Sequence, residues 1–320
     1  MNVLKNQLIT AITLPTPFPV GDVNVYLVKG EALTLVDAGP KTEQAWELFK
    51  QKLKKIGYTP NDIEQVVITH HHPDHVGLLD FFPHELPVYG HSYNRPWLIQ
   101  EKAFFEKQKQ FISQLFTLLG VDSQHLKLLG EIDHLYTFSC QRVLSAPLKE
   151  GDEICGLSGW NVIETPGHAQ SHIVLYNPKT CEVMGGDHLL KKISSNPLLE
   201  PPMEGDERPK PQLQYNESLK KLLQFPISVV YTGHGEPVYD AHKLIEHRLN
   251  RQHERAMNVL SLLNEKAMTA FDICRRLFPT AYERELMLTM SETVGQLDYL
   301  EDSHLITFQD ENGVRLYRRM

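Results

Sequence analysis

One stretch of six residues constrains this chain more than any other. Residues 70–75 read His-His-His-Pro-Asp-His and follow closely on the apolar run Val66-Val67-Ile68. That run reads as a short buried strand. Within the six, His70, His72, Asp74 and His75 fit the spacing H-x-H-x-D-H. Residues two apart in extended backbone point the same way, so His70 and His72 can grip one metal ion together. Pro73 suits the first turn of a helix, where an acidic side chain is also favoured. That turn aims Asp74 and His75 away from the first pair, toward a second ion. Imidazole and carboxylate together suit zinc, ahead of iron or manganese. Taken alone, the run also reads as a surface histidine cluster or an accidental metal-binding tract.

The run is not alone. Strands are expected at Leu8–Leu14, Asn24–Val28 and Leu33–Val36, and the last of these ends in Asp37-Ala38-Gly39-Pro40. A helix is expected over Thr42–Ile56, with Trp46, Phe49, Leu53 and Ile56 on one face. Residues 148–154 read as a hairpin. Further strands at Trp160–Thr165, Cys181–Met184 and Ser228–Thr232 end in Pro166-Gly167-His168, Gly185-Gly186-Asp187-His188 and Gly233-His234-Gly235. Each of these later candidates sits beside a glycine, which lets the backbone turn sharply and lets loops crowd round one point. Chemistry carried on loops at one rim of a sheet is what the pattern implies. Asp37 reads either as a turn former or helix cap, or as an acceptor that orients a histidine.

Five motifs in order, V-D-A-G at Asp37, H-H-H-P-D-H, P-G-H at His168, G-G-D-H at Asp187 and G-H-G at His234, resemble the metallo-β-lactamase-fold hydrolase superfamily. The resemblance covers about Leu8 to Tyr239. It implies an α/β fold, an αβ/βα four-layer sandwich with two mixed sheets face to face and the site on one rim. It also implies that His70, His72 and His168 hold one divalent ion, that Asp74, His75 and His234 hold a second, and that Asp187 bridges both. Two carboxylates and five neutral imidazoles would leave two divalent ions with surplus positive charge, enough to stabilise a bridging hydroxide. Asp74, Asp187 and Asp37 are the carboxylates expected at the reaction centre. His71 and His188 are expected behind the ligands or toward solvent. Some true β-lactamases carry cysteine where this chain has Asp187, and flavodiiron-type members carry glutamate where it has His72. Lactone-cleaving members often lack the counterpart of His70. The full set resembles glyoxalase II thioesterases and the RNA-cleaving members, and does not separate those two.

The hydrolase domain is expected to span residues 1–245, with a helical insertion at about 95–130. In the insertion, Trp97, Phe104, Phe105, Phe111 and Phe116 recur at helical spacing, as a pair of amphipathic helices. They either pack on the core, wall the substrate cavity or pair with a second subunit in a homodimer. Asn196, Arg208 and Tyr215 lie in or at the end of a proline-rich loop after Asp187 and are candidates for substrate binding. Arg208 would pair with an anionic group, or else the loop is a rigid connector. Residues 246–320 are expected to form a small winged-helix-like domain of three helices and a hairpin turning at Asn312-Gly313. Its third helix, from Met287 to Leu300, is read with Glu283, Arg284, Glu285, Glu292 and Asp298 as an acidic face. Arg315, Arg318 and Arg319 form the one basic cluster. Packing or dimerisation is therefore favoured over nucleic-acid binding.

The chain has 320 residues and a formal charge of −8. That balance argues against nonspecific nucleic-acid binding by the whole surface. Residues 1–7 lack the apolar core of a signal peptide, and no apolar run is long enough to span a bilayer. Four scattered cysteines without a C-x-x-C pair read as reduced thiols. The expectation is a cytoplasmic, dinuclear, zinc-dependent hydrolase of an ester, thioester or related bond in a small molecule. A winged-helix endoribonuclease of the same fold stands as the alternative, and a metal-bearing DNA-binding regulator as a third reading.

Overall fold

The computed structural model of the chain describes residues 8–127, 136–264 and 266–320. The stretch tested for a signal peptide (1–7) and the end of the expected insertion (128–130) lie outside them.

Strands β1 (Leu8–Leu14), β2 (Val23–Lys29), β3 (Leu33–Val36), β4 (Gln65–Val67), β5 (Val88–His91) and β6 (Ala146–Leu148) form one sheet in chain order. The first three pair antiparallel and the rest parallel. A second sheet runs in the order β10 (Val229–Thr232), β9 (Glu182–Gly186), β8 (Ile173–Asn177), β7 (Asn161–Glu164). Parallel and antiparallel pairs are mixed in both, as expected.

The period of the apolar residues explains the layers. Alternate side chains of β2, β3 and β4 point inward, and Tyr26, Val28, Val36 and Val67 meet Val162, Leu175 and Met184 of the second sheet. The opposite faces need helices. Helix α1 (Glu43–Lys55) covers the first sheet with Phe49 and Leu53, and its N-cap Thr42 accepts from the amide of Ala45. Ile56, expected on that face, is exposed because the helix ends one residue before it. Helix α6 (Pro211–Leu222) covers the second sheet with Tyr215, Leu219 and Leu222. Numbered in chain order, the helices between these are α2 (Pro73–Val76), α3 (Arg95–Leu98), α4 (Lys102–Leu118) and α5 (Ser123–Leu126). The result is helix, sheet, sheet, helix. The expected hairpin at 148–154 is different in the structure: the Ile154 amide donates to Trp160 and that of Val162 to Asp152, so this arm pairs with the start of β7.

Helix α7 (Ala241–Leu262) runs straight through the expected domain boundary at 245/246. Its 22 residues span about 33 Å at 1.5 Å each. Ala241 and Ile245 pack on the second sheet, whereas Ala256, Val259 and Leu260 pack in a separate C-terminal core. That core also holds α8 (Ala270–Leu277), α9 (Leu286–Asp302) and the hairpin β11 (Ile306–Glu311) and β12 (Val314–Arg319). As expected, Thr269 caps α8 by accepting from the amide of Asp272.

The insertion is one long helix with short helical turns at each end, not a helix pair. Ile112, Phe116, Leu119 and Val121 belong to the C-terminal core, joined by Phe111 and Leu115 from its edge. Gly120 marks the tightest point: a Cβ there would lie 2.7 Å from that of Thr269. These side chains therefore pack within the chain. Helix α9 is buried on almost every side, against α6, α7 and α8. Its expected acidic face is not a solvent face, since Asp298 pairs with Arg208 and Glu292 with Arg255, and Glu283 to Glu285 precede the helix. No helix among the described residues is long and apolar enough to cross a membrane.

Candidate metal centre

Every ligand candidate sits just past a strand end on one rim, and local sequence explains why. After β4 the chain bends at Thr69 and is extended again at His72, then Pro73 starts α2 and carries Asp74 and His75 inward. Asp187 follows β9 and His234 follows β10, which pair in parallel, so both arrive at the same end. Gly233 permits the close approach, because a Cβ at that position would lie 2.1 Å from Asp187 Oδ1.

The structure brings all seven candidates together. His70 Nε2 lies 2.9 Å and His168 Nε2 3.0 Å from His72 Nδ1. Across from them, His234 Nε2 lies 3.2 Å from Asp74 Oδ2 and 3.4 Å from Asp187 Oδ2. Asp187 reaches the other way too, with Oδ1 3.4 Å from His75 Nε2 and Oδ2 3.7 Å from His168 Nε2. It thus stands between the two groups, His70/His72/His168 and Asp74/His75/His234.

The donors fit divalent ions. His70 Nδ1 lies 3.0 Å from Thr69 Oγ1, whose own proton goes to Asp37, and His168 Nδ1 donates to the carbonyl of Asn196 at 2.9 Å. Their Nε2 lone pairs are thereby fixed and aimed at His72 Nδ1; a proton on that atom serves one of them, whereas a cation serves all three nitrogens. In the second group His75 Nε2, His234 Nε2 and Asp187 Oδ1 are buried without a hydrogen bond.

Electrostatics divides the groups the same way. Burial and neighbouring imidazoles hold His70 and His72 well below the ordinary histidine value, and burial lowers His168. Neutral imidazole is the ligand form. Burial alone would lower His75 and His234, but the carboxylates of Asp187 and their neighbours outweigh it, raising His75 well above the usual range and His234 to about 10. Burial would raise Asp187, and His234 and His75 outweigh that, holding it well below the carboxylate range. The carboxylates thus favour positive charge at this group, which a bound metal ion would supply.

Asp37 takes the orienting role and not the capping one. Its Oδ2 accepts from His75 Nδ1 at 2.9 Å and its Oδ1 from the Thr69 amide at 2.7 Å. The backbone holds it at φ 60°, a left-handed conformation that costs a non-glycine residue energy and clusters at functional sites. His234 is set from the residue just before β2, by its Nδ1 donating to the carbonyl of Asp22 at 2.8 Å.

The substrate-binding candidates fare differently. Tyr215 is fully buried and donates its hydroxyl to the carbonyl of His188 at 2.8 Å, so it supports the site from below and is withdrawn as a substrate contact. Arg208 makes a two-pronged pair with the buried Asp298 and is not free to meet an anion. The 194–215 loop nevertheless does reach the site, through Asn196, whose contact with His168 is made by its backbone carbonyl.

Residues outside the motifs complete the surroundings. His172 opens β8, donates from Nδ1 toward Thr165 Oγ1 at 2.9 Å and accepts the amide of Asp187 on Nε2 at 3.2 Å. Its spacing from His168 at the start of a strand was the available signal. His188 is buried between the rings of His172 and Tyr215, away from solvent, and burial lowers it to about 3. His71 turns away from the centre, 2.9 Å from Ser171 Oγ and 3.5 Å from Glu200 Oε1, with Trp97 stacked on it at 4.0 Å. So Trp97 walls the metal loop itself, and not a substrate cavity. Burial pushes Glu200 up to about 7 against the pull of Gln170 donors. Nothing in the local sequence around Glu200 signalled it.

Comparison with known proteins agrees with this geometry. A family model described as the metallo-beta-lactamase superfamily matches residues 18–234. The chain is 49% identical over 312 residues to the probable metallo-hydrolase YqjP of Bacillus subtilis, covering 98% of each. It is 29% identical to a hydroxyacylglutathione hydrolase of Chelativorans over 62% of this chain and 56% of that one. Among solved structures, the metallo-beta-lactamase family protein TTHA1429 of Thermus thermophilus superposes with a TM-score of 0.80 at 26% identity, covering 98% of both chains.

Proposed function

The chain belongs to the metallo-beta-lactamase superfamily and is a metallo-hydrolase, and from that premise we propose that it holds two divalent ions, zinc before iron or manganese, and cleaves an ester or thioester of a small molecule. The observation that carries the reading is Asp187, whose two oxygens face the two donor groups. Bound divalent ions would supply Lewis acidity toward the scissile carbonyl and would lower the pKa of water to furnish the nucleophile. The chain's own residues do the rest. Asp37 keeps the Nδ1 proton of His75 and, through Thr69, that of His70, so that both rings present Nε2 lone pairs. The backbone N–H of Asp187 donates to His172 Nε2, which holds this turn, and the Asp187 carboxylate sets the separation of the two groups. The cytoplasmic location rests on the four unpaired thiols.

The ester or thioester class is supported by the likeness to a hydroxyacylglutathione hydrolase. The nuclease and DNA-binding readings lose support from the C-terminal unit. A winged helix reads DNA with its third helix, whereas α9 is enclosed. The basic cluster at the wing is partly engaged too: Arg315 pairs with Asp310 and lies over Phe308, and Arg319 donates to Asn264. The test is a screen of metal-quantified protein against thioesters, esters, lactones, phosphodiesters and RNA. Turnover of a thioester or ester, lost in Asp187→Ala, is expected. Cleavage of RNA alone would overturn the substrate class, and no turnover of any class with metal bound would favour the regulator.

A further inference from the structure

We infer that residues 195–201 form a brace for the first donor group, anchored by the C-terminal unit, with Asn196 as a positioning residue for His168 and Glu200 as one for the metal loop through His71. The inference rests on the metal-centre reading above and extends it to a part of the chain remote from the motifs.

The loop touches the group directly at His168 and touches the metal loop beside it at His71. The Asn196 carbonyl takes the Nδ1 proton of His168 and so points its Nε2 lone pair at the group. His72 uses Nδ1 toward His70 and His168, which leaves Nε2 on the far side of its ring. Glu200 lies there. Donor atoms of His71, His72 and Glu200 all fall within 4.8 Å of one another. Glu200 is 4% exposed, and its Oε2 accepts the amide and the side chain of Gln170, both at 3.0 Å. Its Oε1 is buried with no hydrogen bond and lies 3.5 Å from His71 Nε2. Glu200 thereby holds His71, the residue between the two ligand candidates His70 and His72, and acts on them through it. Glu200 as the ligand of a further ion is disfavoured, because His72 would then bridge two ions as an imidazolate.

The loop is held from outside the hydrolase layers. Asn196 Nδ2 donates to the Leu288 carbonyl at 3.1 Å, and the Leu199 amide donates to Ser291 Oγ at 3.2 Å, both on α9. The Leu199 side chain is buried in the C-terminal core. From α4, Lys107 donates to the Pro202 carbonyl at 2.8 Å. The second donor group is oriented by Asp37 and the Asp22 carbonyl, within the hydrolase layers. The C-terminal unit therefore bears on one half of the metal centre and not on the other.

The experiment titrates chelator-treated full-length protein with Co2+, following absorbance and bound metal, for wild type, Glu200→Ala, Glu200→Gln and Ser291→Ala. Each is also made in a His234→Ala background, which keeps the first group, and in a His168→Ala background, which keeps the second. The expected loss for Glu200→Ala is about 10- to 100-fold in affinity at the first group, the range for removing such a supporting partner. Glu200→Gln, which retains an acceptor oxygen, recovers part of it. Ser291→Ala loses less, with the same selectivity. Thermal melting of the metal-free variants is the folding control, and if Glu200→Ala fails it, the other two carry the test. Unchanged affinity at the first group, or equal loss at both groups, overturns the brace. A fall from three bound ions to two in Glu200→Ala makes Glu200 a ligand and overturns it as well. Wild-type protein that binds fewer than two ions overturns the metal-centre reading itself.

Discussion

Asp187 has neighbours on both sides and no slack: His75, His168 and His234 all lie within 3.7 Å of its oxygens. Removing the carboxylate leaves the imidazoles without the anion that joins them. Asp187→Ala is expected to abolish turnover while circular dichroism stays that of the wild type, and normal activity in the folded variant would refute its role. Asp37 acts one step further out. Asp37→Asn keeps size but exchanges an acceptor for an amide facing His75 Nδ1, so metal affinity should fall by about 10- to 100-fold. A competition titration against a chelator reads this directly. The seven candidate donors could be named from the sequence because each belongs to one of the five motifs that carry the resemblance, and the structure groups them on one rim. The residues behind them were legible only in part. Asp37 belonged to a motif. Glu200, Ser171 and His172 were brought to the site by folding, and Tyr215 was misplaced because its position in a helix facing the sheet is invisible from its distance to Asp187 in the chain.

Helix α4 shows what a pattern of apolar residues leaves open. Its periodicity announces a buried face and says nothing about what buries it. The cover is the C-terminal core, about 150 residues away in the chain, where Phe116 is wholly enclosed. Phe116→Ala should therefore cost about 3–5 kcal/mol of stability, the usual penalty for emptying such a site. Chemical denaturation measures the loss, and kcat/KM on a small ester should stay near that of wild type. A stable variant with altered substrate preference would instead make α4 a wall of the binding cavity. Helix α9 was misread for a related reason. Its acidic residues suggested a solvent face, but Asp298 and Glu292 are met by Arg208 and Arg255 from other elements. Helix caps and turns, by contrast, are local, and the threonine cap at Thr269 and the turn at Asn312-Gly313 were read correctly, whereas Thr42, counted as helical, is the cap of its helix.

At the scale of the whole molecule, two cores share α7, and the loop 195–201 ties the C-terminal unit to the metal rim. The four-layer architecture was legible from the order of the motifs and strands. The coupling of the units was not, since it consists of backbone carbonyls and a serine hydroxyl that carry no sequence signature. Ligands that bind only the folded state stabilise it, by about 2.7 kcal/mol per site when present at 100 times the dissociation constant. Chelation should therefore lower the melting temperature, and added Zn2+ should restore it in a concentration-dependent way. A melting temperature indifferent to chelator would mean that the buried donors are satisfied without metal. The most direct measurement is elemental analysis at saturation, on wild type and on Asp74→Ala together with His234→Ala. The account predicts two ions per chain in the wild type and one in each variant, with activity reduced in both. A single ion in the wild type, unchanged by either substitution, would contradict it.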